Sequence, residues 1–420
     1  MRAWPLPVLP VLVLLLAAQV GTGVAVGASG WASEAEFEGL AQLPRVALGA
    51  DGEAAAVWEG GREDGFRVHG SWRDADGAWS RPVAFAADAF EPTVAFGPEG
   101  DALALWSGPR GIEAASGAPA RGWSKRALVA REEIALGPEL AIDGAGEAIA
   151  IWRRMPVSGG SSIRVSTRSP GGRWSAPARV SRGKGDAASA DLAVTPGGEA
   201  IAVWWQKDGR RSVVRASSRP RGGHWSRPVD LSVPGENAVA PRVAIDPAGE
   251  AVAVWRRFDG AHGIVQAASR PRGGGWSHPV DLSRRGRNAE RPRIAIYEGG
   301  EALAVWERFD GRNELIEAAS RPAGRSWSSP ARLSKPGRSA HAPSLATSSS
   351  GASVVVWERS GADGPVIQAA TRSAAGGWSA PALVASSAGS AQPAVALGPE
   401  GEALAAWGGY SLGIAALAAP

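Results

Sequence analysis

Short stretches in which apolar and small residues alternate, each ending in tryptophan, return along the whole chain. The stretch GEAVAVW ends at Trp255, and variants of it end at Trp58, Trp106, Trp152, Trp204, Trp306, Trp357 and Trp407, at intervals of 46 to 52 residues. A second stretch, GHWSRPVDLS around Trp225, has a counterpart after each of the first seven copies. A fixed period near fifty residues, built from short alternating segments, predicts an all-β chain of the β-propeller type.

One repeat can be divided into four strands. PRVAID, from Pro241, is the predicted first strand, and the turn Pro247–Gly249 leads into EAVAVW as the second. RRFDGAHG has glycine and charge without alternation and is predicted as a loop before the third strand, IVQAAS. WSHPVDLS is the predicted fourth strand and lies outermost, because Pro279 lacks the N–H that an inner strand needs. Four antiparallel strands make one propeller blade.

The number of copies predicts how the ring ends. The first stretch occurs eight times and the second seven, since the chain stops after an eighth third strand. Trp31 precedes Trp79 by 48 residues, the spacing of the other units. We therefore expect residues 30–37 to supply the outer strand of the last blade, which closes an eight-bladed ring and removes open sheet edges. An open array with frayed ends is the alternative.

The N-terminal residues have the composition of a secretory signal. Arg2 precedes an uncharged run from Val8 to Val20, and small residues around Gly27 and Ala28 offer a cleavage site. We expect residues 1–28 to be this signal and residues 29–420 a single propeller domain, secreted or held in the cell envelope. An uncleaved membrane anchor is the alternative; after cleavage no membrane span is expected. The chain has no cysteine, which excludes disulfides and thiolate metal sites.

The distribution of charge and of histidine limits which nucleic-acid and metal partners can be expected. Lys and Arg number 45 against 41 acidic residues, and the basic residues recur around the repeat rather than forming one patch, which argues against a nucleic-acid partner. The five histidines are scattered, and DADG at Asp74–Gly77 is at most a fragment of a calcium loop. We expect no metal, no cofactor and a monomeric protein.

The turn before each outer tryptophan resembles the motif of Asp-box propellers, a family that includes sialidases and lectins. Its Ser-x-Asp-x-Gly-x-x-Trp pattern is matched at three turns, by Ser218, Gly222 and Trp225, by Ser269, Gly273 and Trp276, and by Ser320, Gly324 and Trp327. The Asp position holds Pro220, Pro271 and Pro322 there and Ser169 and Ser373 in two other units, and only Asp74 keeps the acid. The resemblance implies a propeller with structural turns that lie away from the active face.

Candidate binding residues follow the second strand. The loops there share one end of the propeller with the segments that lead into the first strands, and we call this end the loop face. Aromatic rings beside charged groups suit a sugar, whose C–H face stacks and whose hydroxyls need donors and acceptors. The predicted ligand-binding residues are Arg154, Trp205, Arg257, Phe258, Asp259, Arg308, Phe309, Asp310, Arg359 and Tyr410. The structural alternative is that the charged residues pair with one another between loops.

The sequence favours a non-catalytic protein that binds a glycan or a cell-envelope polymer. A sialidase-type exo-glycosidase is the alternative, and it would need a tyrosine nucleophile activated by a glutamate together with an acid. The residues available for those roles are Tyr410, Glu307 or Glu358, and Asp259 or Asp310. A structural or protein-interaction propeller is a further alternative.

Overall fold

Every secondary-structure element in the described part of the chain is a β-strand. The structure is a computed structural model and describes residues 30–61, 65–118, 121–386, 389 and 392–418. The predicted signal, residues 1–28, lies outside the described residues. No helix among the described residues is long and apolar enough to cross a membrane. The strands in chain order are β1 (Trp31–Leu48), β2 (Ala54–Gly60), β3 (Arg67–Arg73), β4 (Val83–Ala87), β5 (Phe90–Phe96), β6 (Ala102–Gly108), β7 (Gly111–Ala118), β8 (Gly122–Trp123), β9 (Ala127–Arg131), β10 (Ala135–Ile142), β11 (Ala148–Arg154), β12 (Ser162–Arg168), β13 (Ala178–Arg179), β14 (Ala187–Val194), β15 (Ala200–Asp208), β16 (Arg211–Arg219), β17 (Val229–Asp230), β18 (Asn237–Ile245), β19 (Ala251–Phe258), β20 (Gly263–Arg270), β21 (Val280–Asp281), β22 (Ala289–Ile296), β23 (Ala302–Phe309), β24 (Glu314–Arg321), β25 (Ala331–Arg332), β26 (Ala340–Thr347), β27 (Ser353–Ser360), β28 (Pro365–Arg372), β29 (Ala382–Ser386), β30 (Ala394–Leu397), β31 (Ala403–Trp407) and β32 (Gly409–Leu417).

These strands form antiparallel sheets that follow the sequence repeat. Five sheets have four strands each in chain order, β10 to β13, β14 to β17, β18 to β21, β22 to β25 and β26 to β29. We number them units 3 to 7. Unit 2 contains β5 to β9, with both β8 and β9 paired to β7. The remaining sheet has the order β30-β31-β32-β1-β2-β3-β4. Within it we call the part from the C-terminal half of β1 to β4 unit 1, and β30 to β32 with the N-terminal half of β1 unit 8.

Strand β1 joins the two ends of the chain. Its N-terminal half pairs with β32, from Trp31 opposite Leu417 to Ala41 opposite Gly409. Its C-terminal half pairs with β2, ending with Leu48 opposite Ala54. A single strand is therefore the outermost strand of unit 8 and the innermost strand of unit 1.

The observed strand lengths correct two boundaries predicted from sequence. The second strand of unit 5 continues past Trp255 to Phe258, because its backbone still pairs with the first strand there, Arg257 opposite Ala238. The predicted loop is correspondingly shorter. The fourth strand is only Val280–Asp281, two residues long, so the segment from Trp276 to Pro279 runs outside the ladder. A proline in this segment is consistent with its missing backbone donor.

The hydrophobic core lies between successive sheets, and the second strands supply most of it. Alternate residues of β19 face opposite ways. Ala251, Ala253 and Trp255 pack against Ile201 and Val203 of unit 4. Val252 and Val254 pack in the same way against Ala302, Ala304 and Trp306 of unit 6. Small alanines let the neighbouring sheet approach while a fully buried tryptophan fills the wider gap, as the alternating pattern predicted.

An ion pair repeats between successive units, and we call it the Arg–Glu clasp. The arginine ends a third strand, and the glutamate stands just before the second strand of the preceding unit. The clasps are Arg219–Glu147 at 2.8 Å, Arg270–Glu199 at 3.0 Å, Arg321–Glu250 at 2.5 Å, Arg372–Glu301 at 2.6 Å and Arg73–Glu402 at 2.7 Å. The last of these joins unit 8 to unit 1 in the same way that the others join neighbours in sequence.

Candidate functional site

The first strand of each of units 1 to 7 is interrupted near the loop face. The pairing register with the second strand shifts in units 1 to 7. The backbone takes a positive φ at this point at Leu43 (46°), Glu91 (52°), Gly137 (57°), Ser189 (51°), Ala240 (53°), Arg291 (50°) and Ala342 (51°). A non-glycine residue in this conformation is strained by about 1 kcal/mol or more, and such strain clusters at functional sites. A bulge of this kind changes the direction of the side chains that follow it.

The residues two positions beyond the bulge come together at the centre of the molecule. We call them the axial positions: Arg45, Thr93, Glu139, Asp191, Arg242, Arg293, Ser344 and, in unit 8, Ala394. Arg242 Nη1 lies 3.3 Å from Asp191 Oδ1 and 3.7 Å from Glu139 Oε1. These three side chains belong to units 5, 4 and 3, so the innermost strands converge on a shared axis.

The axial charges perturb one another strongly. Burial raises the pKa of Glu139, Arg242 opposes the rise, and Asp191 adds to it. Burial lowers the pKa of Arg293 to about 9, and the like charges of Arg242 and Arg45 act in the same direction. Burial is the main cause of this low value, and the guanidinium remains protonated at neutral pH.

A cavity of about 340 Å³ opens at the loop-face end of the axis. The first strands of units 1 to 5 and the end of β11 form its wall. Its lining residues are Leu43, Arg45, Glu91, Pro92, Leu136, Gly137, Pro138, Glu139, Arg153, Ala188, Ser189, Ala190 and Arg242. We call it the axial cavity. Its volume lies at the small end of the range of about 300–1,000 Å³ for small-molecule sites.

The arginines predicted from the sequence each have a different partner. Arg257 contacts Glu236 at 3.1 Å and Asp281 at 3.5 Å, and its side chain is 6% exposed. The other three contacts are Arg308 to Glu317 at 3.4 Å, Arg154 to Glu132 at 2.7 Å, and Arg359 Nη2 to the Pro336 carbonyl at 3.4 Å. The structure therefore does not bring these four guanidiniums into one cluster.

The predicted aspartates stabilise their own loops. Asp259 Oδ1 accepts the N–H groups of Ala261 and His262 at 2.9 and 2.7 Å, and these bonds lower its pKa. Asp310 does the same with the N–H groups of Arg312 and Asn313, with the same effect on its pKa. Both are turn-forming residues in the described loops.

The predicted aromatic residues differ in exposure. Phe258 is 42% exposed and Tyr410 is 65% exposed, so both present apolar surface on the loop face. Phe309 is half-buried. Trp205 is also half-buried, packs against the core between units 4 and 5, and donates its indole N–H to Ser189 Oγ at 3.2 Å. Ser189 lines the axial cavity, so Trp205 is the predicted aromatic residue with a direct contact to its wall.

Glu307 is tied into the contact between units 6 and 7. Its carboxylate contacts Arg291 at 2.9 Å, accepts the Ala342 N–H at 2.6 Å and lies 3.8 Å from His341 Nδ1. Burial acts to raise its pKa, but the bonds from His341, Arg291 and Ala342 outweigh burial and lower it. Glu358, its counterpart in unit 7, lies opposite His341 in the ladder.

The bond to Glu307 raises the pKa of His341, against the opposing effect of burial, and this predicts a pH effect on stability. The contribution is fully present below the ordinary histidine pKa of 6.5 and is lost as the pH rises through the raised value. We expect wild type to lose stability relative to His341→Gln between pH 6 and pH 8, measured by denaturant unfolding. His224→Gln, at an exposed turn, is the control. Parallel pH curves for wild type and His341→Gln would contradict the assignment.

The turns that resemble Asp boxes are structural in this chain. Gly222 has φ 65°, and the Gly223 N–H donates to the Pro220 carbonyl at 2.9 Å. The serine after the outer tryptophan, Ser226, accepts the Ser218 N–H at 3.1 Å. Asp74, which keeps the acid, accepts the Ala78 N–H at 2.8 Å within its own turn. The Pro220 carbonyl thus closes its turn as the Asp74 carboxylate helps to close the turn of unit 1, while the serine after the outer tryptophan bonds to the third strand in both units.

The axial positions and Arg153 were not among the residues predicted from the sequence. A signal for the axial positions was present, since the residue after proline in PRVAL, PTVAF, PELAI, PRVAI, PRIAI and PSLAT changes charge while its neighbours repeat. Polar residues inside an otherwise apolar innermost strand are expected to face a channel rather than the core. The repeat position of Arg153 also varies in charge, with Arg256 in unit 5 and Glu307 in unit 6, but it was predicted to lie in a loop after the second strand rather than in the strand.

The comparisons with known proteins bear on the fold alone. No family model matches the chain, and no curated protein matches it. A solved structure of the Dos1 propeller matches with a TM-score of 0.58 at 8% identity, covering 92% of this chain and 95% of that chain. An ulvan lyase, a polysaccharide lyase, matches with a TM-score of 0.57 at 12% identity, covering 80% and 94%. A Hadza microbial sialidase matches with a TM-score of 0.44 at 13% identity, covering 75% and 73%, too low to carry an argument. Together with the all-β sheets, the likeness to the Dos1 propeller shows that the chain has a β-propeller fold.

Proposed function

We propose that the chain is an exported, eight-bladed, closed β-propeller that binds a glycan or a cell-envelope polymer on its loop face without catalysis. The observation that carries the proposal is the axial cavity, where strained backbone, guanidinium and carboxylate groups and apolar side chains meet at an open surface. Guanidinium and carboxylate groups can bond to the hydroxyls of a saccharide, and apolar side chains can contact its C–H faces. An ulvan lyase shares the fold, so the fold is compatible with a saccharide ligand.

Exposed aromatic surface supports the loop face as the binding side. Phe258 and Tyr410 present rings at this end of the molecule. A polymer held at the axial cavity would extend across the face toward them. The eight-bladed, closed ring is supported by the pairing of β1 with β32 and by the clasp between Arg73 and Glu402.

A binding role accounts for the acidic residues better than a sialidase-type reaction does. Asp259 and Asp310 accept backbone N–H groups in their turns, and those bonds favour the ionised form, whereas a general acid must hold a proton. The lowered pKa of Glu307 also favours its ionised form, and its oxygens bind groups of two units. These contacts assign the three residues to loop and sheet structure.

A glycan array with the purified protein tests the proposal. We expect binding to at least one class of envelope or extracellular polysaccharide, weakened about tenfold by Arg45→Gln at the axial cavity. Arg227→Gln, on an exposed outer segment, is the matched control and should bind as wild type does. A folded protein that binds no glycan on the array would overturn the proposal in favour of a protein-interaction propeller.

Turnover of a fluorogenic sialoside tests the absence of catalysis. We expect no release of fluorophore above background. Turnover that Tyr410→Phe abolishes would contradict a pure binding role.

A further inference from the structure

We propose that the axial cavity binds a single carboxylate-bearing sugar ring of an acidic glycan, with Arg45 and Arg153 holding the carboxylate. This inference rests on the proposed function and names its ligand class. It concerns side chains that the sequence pattern did not predict as binding residues.

Two guanidiniums in the cavity wall form no ion pair. Within the described residues, neither Arg45 nor Arg153 has a carboxylate within 4.0 Å. Arg45 is exposed, and its Nη1 contacts the Pro44 carbonyl at 3.2 Å. Arg153 Nε is buried and has no hydrogen-bond partner. A buried polar group without a partner is costly, so an arriving anion would remove a penalty as well as add contacts.

Many other arginines of the propeller pair with carboxylates. Arg257, Arg308 and Arg154 do so, and the clasp arginines pair across units. Arg45 and Arg153 differ from these arginines because they line an open cavity without forming an ion pair.

Two further guanidiniums lie close to Arg45 and Arg153. Arg242 also lines the cavity, paired with Asp191 at 3.3 Å, and Arg293 stands at the next axial position beyond it. Within the described residues Arg293 forms no ion pair, and its Nη1 contacts the Pro292 carbonyl at 3.3 Å. An anion at the cavity would offset this charge, and a carboxylate can take two parallel bonds from a guanidinium.

Acidic and apolar side chains in the cavity wall favour a sugar over a simple anion. Glu91 and Glu139 line the same cavity, and carboxylates repel a bare anion but accept bonds from hydroxyl groups. Leu43, Leu136 and Pro138 add apolar surface for C–H groups. A cavity of about 340 Å³ is small for a longer oligosaccharide, so one ring enters it and the rest of the polymer lies outside.

Calorimetric titration with small probes tests the inference. The probes are glucuronate and N-acetylneuraminate, two sources of a ring-borne carboxylate, with glucose and acetate as controls. We expect at least one acidic sugar to bind at least tenfold more tightly than glucose and acetate, and to weaken as salt is raised. Arg45→Gln with Arg153→Gln should weaken that binding tenfold or more, and Arg227→Gln should leave it unchanged. Arg45→Gln alone serves as a second variant if the double variant does not fold.

The outcomes distinguish this inference from the proposed function. Binding of neutral glycans on the array together with equal, weak binding of all four probes overturns the acidic-sugar site and leaves the glycan-binding function in place. Acetate bound as tightly as the acidic sugars overturns the sugar component. If both arginine variants still bind the acidic sugars as wild type does, the site does not involve these arginines and the assignment is overturned. A protein that binds no glycan fails the proposed function itself.

Discussion

Deletion of residues 30–37 is expected to lower the melting temperature of the protein by about 10 °C or more. The deletion removes most of the part of β1 that pairs with β32 and leaves the edge of β32 largely unpaired. It also removes Trp31, which is 3% exposed and packs with Val354 and Val356 of unit 7. Loss of a buried tryptophan side chain alone costs about 3–5 kcal/mol.

The same segment also supports unit 1. Glu34 contacts Arg73 at 3.1 Å and accepts the indole N–H of Trp79 at 3.1 Å. Phe37 stacks on Trp58 with ring centroids 5.6 Å apart. The deletion therefore removes support from units 1, 7 and 8 together, and the transition should also broaden.

A chain that starts at residue 30 and keeps the segment is the matched control for a chain that starts at residue 38. Differential scanning calorimetry on both gives the comparison. Trp31→Ala in the longer chain should give a smaller fall of the same sign. Equal melting temperatures for the two chains would show that the ends do not stabilise a closed ring.

Removal of a clasp glutamate is expected to lower the free energy of unfolding more than removal of its arginine partner does. In the Arg219–Glu147 pair the side chains are 8% and 17% exposed, so Arg219 is the more buried charge. Glu147→Ala leaves a buried guanidinium with one bond, from Nε to the Gly223 carbonyl at 3.1 Å. We expect a loss of about 1–3 kcal/mol in the free energy of unfolding, because stranding one charge of a buried pair is expensive.

Replacement of both clasp partners should cost less than the sum of the single changes. Arg219→Leu removes the more buried charge and leaves Glu147 with a route to water, so its loss is smaller than that of Glu147→Ala. The double variant should show a coupling of about 1 kcal/mol by denaturant unfolding. Strictly additive losses would mean that the pair adds nothing beyond packing.

Two contacts between units lack a complete Arg–Glu clasp. At the contact between units 7 and 8 the glutamate position holds Ala352 and the arginine position holds Leu417. Both charges are absent together, so neither is left unpaired. At the contact between units 1 and 2 the arginine position holds Gly117, and Glu53 Oε2 is buried without a hydrogen-bond partner. The contact between units 7 and 8 thus resembles the double variant, which lacks both charges. The contact between units 1 and 2 resembles the variant that lacks only the arginine.

The strand order within a unit could be predicted from sequence because its signals are local. Alternation around Trp255 predicted the second strand, and the turn ending at Gly249 predicted its start. The end at Phe258 could not be predicted, since pairing with Ala238 depends on the neighbouring strand. The short fourth strand was missed for a similar reason: the motif around Trp276 is fixed by side-chain packing and serine bonds outside the ladder.

The loop face could be predicted as a candidate binding side, but the residues at its centre could not. Arg153, which lines the axial cavity, and Arg257, which turns toward Asp281, stand one and two residues after a second-strand tryptophan. The second strand was predicted to end at that tryptophan, so strand alternation, which separates the two positions, could not be applied to them. The axial positions required the bulge at residues such as Ala240 and Arg291, whose positive φ no propensity predicts. The change of charge after proline was a sign of the axial positions that the sequence did contain.

A crystal structure of the protein soaked with the saccharide that binds best on the array tests the central claim most directly. We expect one ring of the saccharide to occupy the axial cavity, with its acidic group in contact with Arg45 and Arg153. Density for the saccharide on the outer strands, with the cavity free of it, would contradict the account.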